Sequence, residues 1–274
     1  MRLALAVQTP DVILPLPVAL LSGTWAEKVQ KAAQLGVYGL ELMTADPSQV
    51  DAKRLRAEME AHGLKAVAIG SGAAAMQAGL HLLHASPEVS DRAARRLDEL
   101  IDFAAAMGAP LVTIGSFRGK LASTGPEGRP RLAGILQRAA DHAAAAAVRL
   151  AIEPLNRYEA DLVNNAEEGL AFVESIGHPA LGLLLDTYHV NIEESSWETP
   201  IRLLMQAGKL WHVHLGDNNR LPPGGGMIDF RTLVCALRAA GYDGTLSAEL
   251  LARPDADIAA RRTVEHMRPL LEAA

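Results

Sequence analysis

Apolar residues in this chain follow two alternating rhythms. Short unbroken runs of four to six recur roughly every thirty residues, and between them lie alanine-rich stretches with apolar positions at i, i+3, i+4 and i+7. The junctions repeat as well: a helical pattern, a glycine or short turn, then a run, as in AAQLGVYGLELM, EAHGLKAVAIG, AAMGAPLVTIG, IGHPALGLLLD, QAGKLWHVHLG and RAAGYDGTLSAEL. Glycine accepts the left-handed conformation that ends a helix. A continuous apolar run suits a strand buried on both faces of a parallel sheet. The pattern therefore predicts strands near 3–7, 38–42, 65–69, 111–115, 149–153, 181–186, 210–214 and 244–249, with helices between them.

Helix starts agree with that reading. Thr24 and Glu27 have capping-box spacing, Ser86 precedes Pro87, and Asn165 precedes AEEGLAFVES. Leu97, Leu100, Ile101 and Ala104 form one buried stripe, and Phe230, Leu233, Val234 and Leu237 form another, which sets Cys235 beside a packing face rather than in a site. Eight strands alternating with helices predict an α/β fold, a (β/α)8 TIM barrel, with residues 1–274 as a single domain. A doubly wound open sheet would show a glycine fingerprint after its first strand, and none follows 3–7.

Composition narrows the function classes. The net charge of −6 is mild and the basic residues are spread along the chain, which argues against a nucleic-acid partner. MRLALAV is cut short by Gln8, Thr9, Pro10 and Asp11, too soon for a signal peptide. VILPLPVALL is broken by Pro15 and Pro17 and falls far below the ~20 residues of a membrane span. It reads instead as a pocket-lining loop or a contact between subunits. A lone cysteine excludes an intramolecular disulfide and a cysteine-rich zinc site, and it fits a reducing, cytoplasmic compartment.

The candidate chemistry sits at the ends of the later runs. LAIE, LGLLLD, LWHVH and TLSAE each deliver a polar residue, Glu153, Asp186, His214 and Glu249, to the C-terminal end of a strand. Barrel enzymes assemble their sites at that rim. One carboxylate at a strand end more often caps the strand or pairs with an arginine, but four polar residues at equivalent ends describe one cluster. Three carboxylates and an imidazole suit Mn2+ or Mg2+, with Co2+ and Zn2+ also compatible. Glu159 follows Glu153 on the same loop, His189 lies three residues after Asp186, and His212 shares a strand face with His214. Arg220 follows on a glycine-rich loop. Arg118, Lys120, Arg129 and Arg131 after strand four read mainly as solvated charges, with Arg118 or Lys120 as a lesser candidate for distal hydroxyls or a phosphate. The GGG at 224–226 lacks the surroundings of a phosphate loop.

The segments EPLNRYE, DTYHVNIEE, HVHLGDNNRLPPGGGMIDF and SAEL resemble the D-tagatose 3-epimerase and D-psicose (D-allulose) 3-epimerase family of xylose-isomerase-like barrels. The resemblance is close over the second half of the chain and looser over the first. It implies a divalent metal, Mn2+ ahead of Co2+ or Mg2+, held by Glu153, Asp186, His214 and Glu249. It also implies Glu153 and Glu249 as acid and base, with Glu159, His189 and Arg220 contacting the C1 and C2 end of a free ketose. His214 rather than His212 is the implied ligand, because it stands six residues before Arg220. A homodimer or homotetramer is implied too. Asp217, where many relatives carry glutamate, and Ala160, where threonine is frequent, depart from the family pattern, and the first loop lacks the aromatics of some relatives. An aldose–ketose isomerase, hydroxypyruvate-isomerase-like or acting on a sugar phosphate, would share the same metal and chemistry. An endonuclease-IV-like repair enzyme would need further histidines at strand ends, which IGSG and GMIDF do not supply. A non-catalytic sugar-binding barrel would tolerate loss of Glu153 or Glu249, and both are present.

Overall fold

The computed structural model describes residues 1–273. Eight parallel strands close into a barrel: β1 (Arg2–Gln8), β2 (Gly39–Met43), β3 (Lys65–Gly70), β4 (Leu111–Ile114), β5 (Arg149–Ile152), β6 (Leu181–Asp186), β7 (Leu210–Leu215) and β8 (Thr245–Ala248). Each pairs with its sequence neighbour, and β8 returns to β1 through Arg2 opposite Thr245. The strands lie within a residue or two of the expected ranges. The outer layer is α1 (Trp25–Leu35), α2 (Ala52–Ala61), α3 (Gly72–Ala78), α4 (Pro87–Met107), α5 (Gly128–Ala145), α6 (Ala166–Ile176), α7 (Thr187–Glu193), α8 (Glu198–Gln206), α9 (Phe230–Ala239) and α10 (Ala256–Glu272). The short α3 and α7 are additions at the rim that the alternation did not specify.

The expected caps form. Thr24 and Glu27 make the reciprocal capping box of α1, Ser86 Oγ accepts from the Val89 N–H, and Asn165 Oδ1 accepts from the Glu168 N–H at 2.9 Å. Each such cap stabilises its helix by about 1 kcal/mol. Gly36 and Gly108 close α1 and α4 in the left-handed conformation, where a side chain would be strained. Both predicted helical stripes are buried, and Cys235 points outward from α9.

Alternation within the strands separates two interiors. Leu40 and Leu42 of β2 and Val213 of β7 face the helices and join the main core. The intervening Glu41, His212 and His214 face the lumen and meet one another there. Ala4, Val67, Ala68, Leu111, Ala151 and Leu184 form a separate cluster of buried apolar residues. Beyond it the lumen is polar, because Glu41, Thr113, His212, His214 and Ser247 are all buried. Among the described residues no helix is long and apolar enough to cross a membrane. The run MRLALAV contributes Arg2 to Val7 to β1 (Arg2–Gln8), with Ala4 to Val7 fully buried.

Candidate metal centre and active site

Backbone pairing continues one residue beyond two of the strands. The Glu153 N–H donates to the Ile114 carbonyl at 3.0 Å and the Glu249 N–H to the Leu215 carbonyl at 3.2 Å. Both glutamates are thereby fixed at the rim, and β5 and β8 stand three positions apart around an eight-strand ring. Asp186 ends β6 and caps α7 by accepting from the Tyr188 N–H at 2.8 Å. Its second oxygen, Oδ2, turns toward Arg220.

Glu153, Asp186, His214 and Glu249 converge: one donor atom from each lies within 4.8 Å of all the others. His214 Nδ1 is 3.2 Å from Glu153 Oε1 and 3.6 Å from Glu249 Oε2. Arg220 Nη2 donates to Glu249 Oε2 at 2.7 Å and reaches Asp186 Oδ2 at 3.4 Å. Three oxygens and one imidazole nitrogen at this spacing form a donor set that fits a divalent cation.

The electrostatics reflect crowded carboxylates. Burial pushes Glu153 upward, but the His214 hydrogen bond, the His214 charge and the Arg220 guanidinium together hold it down at about 2. Burial raises Asp186 to about 7 against the pull of Arg220, and burial also raises Glu249 against His214 and Arg220. Charges of one sign held this close in a dry pocket favour either bound protons or a cation.

The neighbouring donors are preoriented. Burial depresses His189 to about 3, so its imidazole is neutral at physiological pH. His189 Nδ1 accepts from the Asn156 N–H at 3.2 Å and lies 2.8 Å from Asn156 Nδ2. The ring proton therefore sits on Nε2. That nitrogen is 3.4 Å from Arg220 Nη1. Two donors so placed repel each other unless they share an acceptor between them, such as a substrate oxygen. Asn156 also donates to Glu159 Oε1 at 3.0 Å. It belongs to the EPLNRYE motif, yet its role in orienting two expected contacts is visible only in three dimensions.

Arg220 has φ +58, an uncommon conformation for a residue with a side chain. Asp217 organises its loop: its carboxylate accepts from the N–H groups of Asn218, Gly224, Gly226 and Ile228, while its carbonyl takes the Arg220 N–H at 2.7 Å. A Cβ at Gly226 would collide with Asp217 and Asn218. The glycine run thus serves a close backbone approach to a carboxylate.

A cavity of about 280 Å³ opens onto the cluster, and Glu153, Glu159, His189, Arg220 and Glu249 line it. The rest of its lining combines the apolar Val18, Met43, Met76, Leu155 and Leu251 with Thr113 and Ser116. The size suits a small molecule. A larger cavity of about 700 Å³ lies outside the barrel mouth between Pro222 and His266, away from every residue of the cluster.

One expectation is corrected. Arg118 is 1% exposed, and its guanidinium donates to the carbonyls of Gly115, Glu153, Leu162 and Val163 at 2.7–3.1 Å. It is a buried staple behind Glu153, unavailable to solvent and to substrate. Lys120 and Arg129 are exposed as expected. Glu41 was not anticipated at all. This buried residue of β2 lies 3.0 Å from His212 Nε2 and 3.1 Å from His214 Nε2. Burial works against its ionisation, but His214 and His212 outweigh that and hold it well below the usual carboxylate range. The one available signal was a charge at an inward position of the otherwise apolar GLELM.

A closed parallel barrel with a carboxylate–histidine cluster at its C-terminal rim is the class defined so far. Residues 29–270 match the family model described as Xylose isomerase-like TIM barrel. The chain is 31% identical over 224 residues to a ketose 3-epimerase of Arthrobacter globiformis, covering 81% of this chain and 75% of the relative. It is 28% identical over 239 residues to an L-ribulose 3-epimerase of Methylomonas sp., covering 83% and 80%. The fold matches a D-psicose 3-epimerase from Clostridium cellulolyticum, crystallised with D-tagatose, with TM-score 0.79 at 24% identity over 100% of both chains. The chain belongs to the xylose isomerase-like TIM barrel family and, within it, to the ketose 3-epimerases.

Proposed function

We propose that this protein epimerises free ketoses at C3, with ketohexoses of the tagatose, fructose and psicose type as substrates. The observation that carries the reading is the placement of Glu153 and Glu249 on strands three positions apart, both beside His214 and both lining one small cavity. Inverting a carbon next to a ketone requires a proton to leave one face and another to arrive at the opposite face. Two carboxylates on opposite sides of the reacting carbon can do this, one as base and one as acid. Glu153, Asp186, His214 and Glu249 would hold the divalent ion, with Mn2+ ahead of Co2+ because the donors are mostly oxygen and ahead of Mg2+ because one is an imidazole. When bound, such an ion supplies Lewis-acid stabilisation of the charge that develops on the carbonyl oxygen.

The remaining residues hold the sugar. His189 Nε2–H and Arg220 Nη1 converge on one acceptor position, which suits the oxygens at the C1 and C2 end, and Glu159 accepts from a hydroxyl. Arg220 is the one cation lining the cavity among its described residues, and it already bonds Glu249. No second cation among the described residues lines the cavity to cradle a phosphate, which favours the free sugar over its phosphate ester. Cytoplasmic location accords with the single thiol. A homodimer or homotetramer is expected, with the first loop as its contact, since Ile13 is 85% exposed. The reading is tested by incubating Mn2+-loaded protein with D-fructose, D-psicose, D-tagatose and D-sorbose and separating the products. A C3 epimer of at least one sugar is expected; no new sugar from any of them would sink the proposal.

A further inference from the structure

Beyond the four donors, the barrel lumen contains a carboxylate with no assigned role. Glu41 reaches inward from β2, three positions around the ring from β7, and meets both histidines of HVH. Its Oε2 is 3.0 Å from His212 Nε2 and 3.1 Å from His214 Nε2, while its Oε1 accepts from the Thr113 hydroxyl at 3.0 Å. Glu41, Thr113, His212 and His214 are each no more than 4% exposed. The other nitrogen of His214, Nδ1, faces Glu153 and Glu249.

A neutral imidazole offers a lone pair from only one nitrogen, and the partner of the other nitrogen decides which. An ionised carboxylate only accepts. When the imidazole gives up a proton to take an ion, Glu41 keeps the remaining ring proton on Nε2 and leaves the Nδ1 lone pair for the cluster. We infer that Glu41 is a positioning residue for the metal centre: it fixes the orientation and donor nitrogen of His214, and His212 and Thr113 in turn hold Glu41. This inference rests on the reading of Glu153, Asp186, His214 and Glu249 as ligands. It also accounts for His212, a fully buried histidine that the four-donor centre does not use.

Glu41, His212 and His214 themselves satisfy the spacing of a metal site. Both Glu41 oxygens are already engaged at hydrogen-bond distances, which weighs against an ion there. A second ion is thus the competing reading, and stoichiometry separates the two.

The experiment is a Co2+ titration of the full chain and of its Glu41→Met and Glu41→Gln variants. Affinity is followed by calorimetry, the ligand field by visible absorption, and the fold by circular dichroism. Methionine keeps the volume and removes both acceptors; glutamine keeps one acceptor and is the conservative rescue. The expected result is one ion per chain in the unmodified protein, affinity about 10–100-fold weaker with a shifted spectrum in Glu41→Met, and an intermediate loss in Glu41→Gln. If Glu41→Met does not fold, Glu41→Gln alone decides. A folded variant with unmodified affinity and spectrum overturns the inference. Two ions per chain, one lost with Glu41, also overturns it by making Glu41 a ligand. No ion in the unmodified protein strikes the four-ligand reading on which the inference stands.

Discussion

Replacing Arg118 with methionine probes the structure where it departs most from the sequence-based expectation. The guanidinium donates to four carbonyls, at 2.7 Å to Glu153, 2.9 Å to Leu162, and 3.1 Å to Gly115 and Val163. Gly115 and Val163 keep backbone partners in the variant, because the residue 118 N–H and the Leu155 N–H also bond them. The Glu153 and Leu162 carbonyls depend on the guanidinium. Orphaning two buried acceptors costs about 1–3 kcal/mol each. Part of that is offset, because a cation that burial has already pushed down to about 10 no longer has to be desolvated. The net loss is about 2–4 kcal/mol, which at about 2–4 °C per kcal/mol for a chain of this size lowers Tm by roughly 5–15 °C. The Glu153 backbone also loses its anchor, so Mn2+ should protect Arg118→Met from heat less than it protects the unmodified protein. Thermal melts with and without Mn2+ read both effects. A Tm unchanged within about a degree would refute the reasoning and return Arg118 to the solvent.

Other perturbations act on the site directly. Glu249→Gln should lower kcat by about 10²–10⁴-fold with the fold retained; a near-normal rate in steady-state kinetics would rule out the two-carboxylate mechanism. Chelation should abolish activity and added Mn2+ or Co2+ should restore it, whereas turnover in protein stripped of metal, verified by elemental analysis, would sink the metal assignment. Gly115→Ala would place a methyl group against the Glu153 carboxylate, so metal affinity should fall with little change in Tm, and unaltered affinity would show that Glu153 can move aside. Asp217→Ala removes the acceptor for four loop N–H groups. It should raise KM through a displaced Arg220, which substrate saturation curves will show or exclude.

The barrel was legible because six of the eight strands are short apolar runs preceded by a helix stop, a local signal that needs no long-range information. The rim cluster was legible for the same reason, since strand ends at equivalent depth in a closed parallel barrel must converge. Glu153, Asp186, His214 and Glu249 lie together as the sequence predicts. The supporting contacts were less accessible. Arg118 sits in a polar, glycine-rich loop that reads as solvent-facing, and nothing local reveals that four carbonyls from two separate loops surround it. Glu41 is one charge in GLELM, and its partners are 171 and 173 residues away. Asn156 was inside a recognised motif, but its function depends on His189 approaching from α7, after the next strand. Long-range polar pairing of this kind leaves no period in a single sequence.

The most direct test of the central claim is NMR of ketoses incubated with Mn2+-loaded protein in D2O, following which carbon gains deuterium. The panel holds free ketohexoses, ketopentoses and their phosphates. Deuterium at C3 of a free ketose, together with its C3 epimer, is the predicted result. Deuterium at C1 with an aldose product, or no exchange in any sugar, would contradict it.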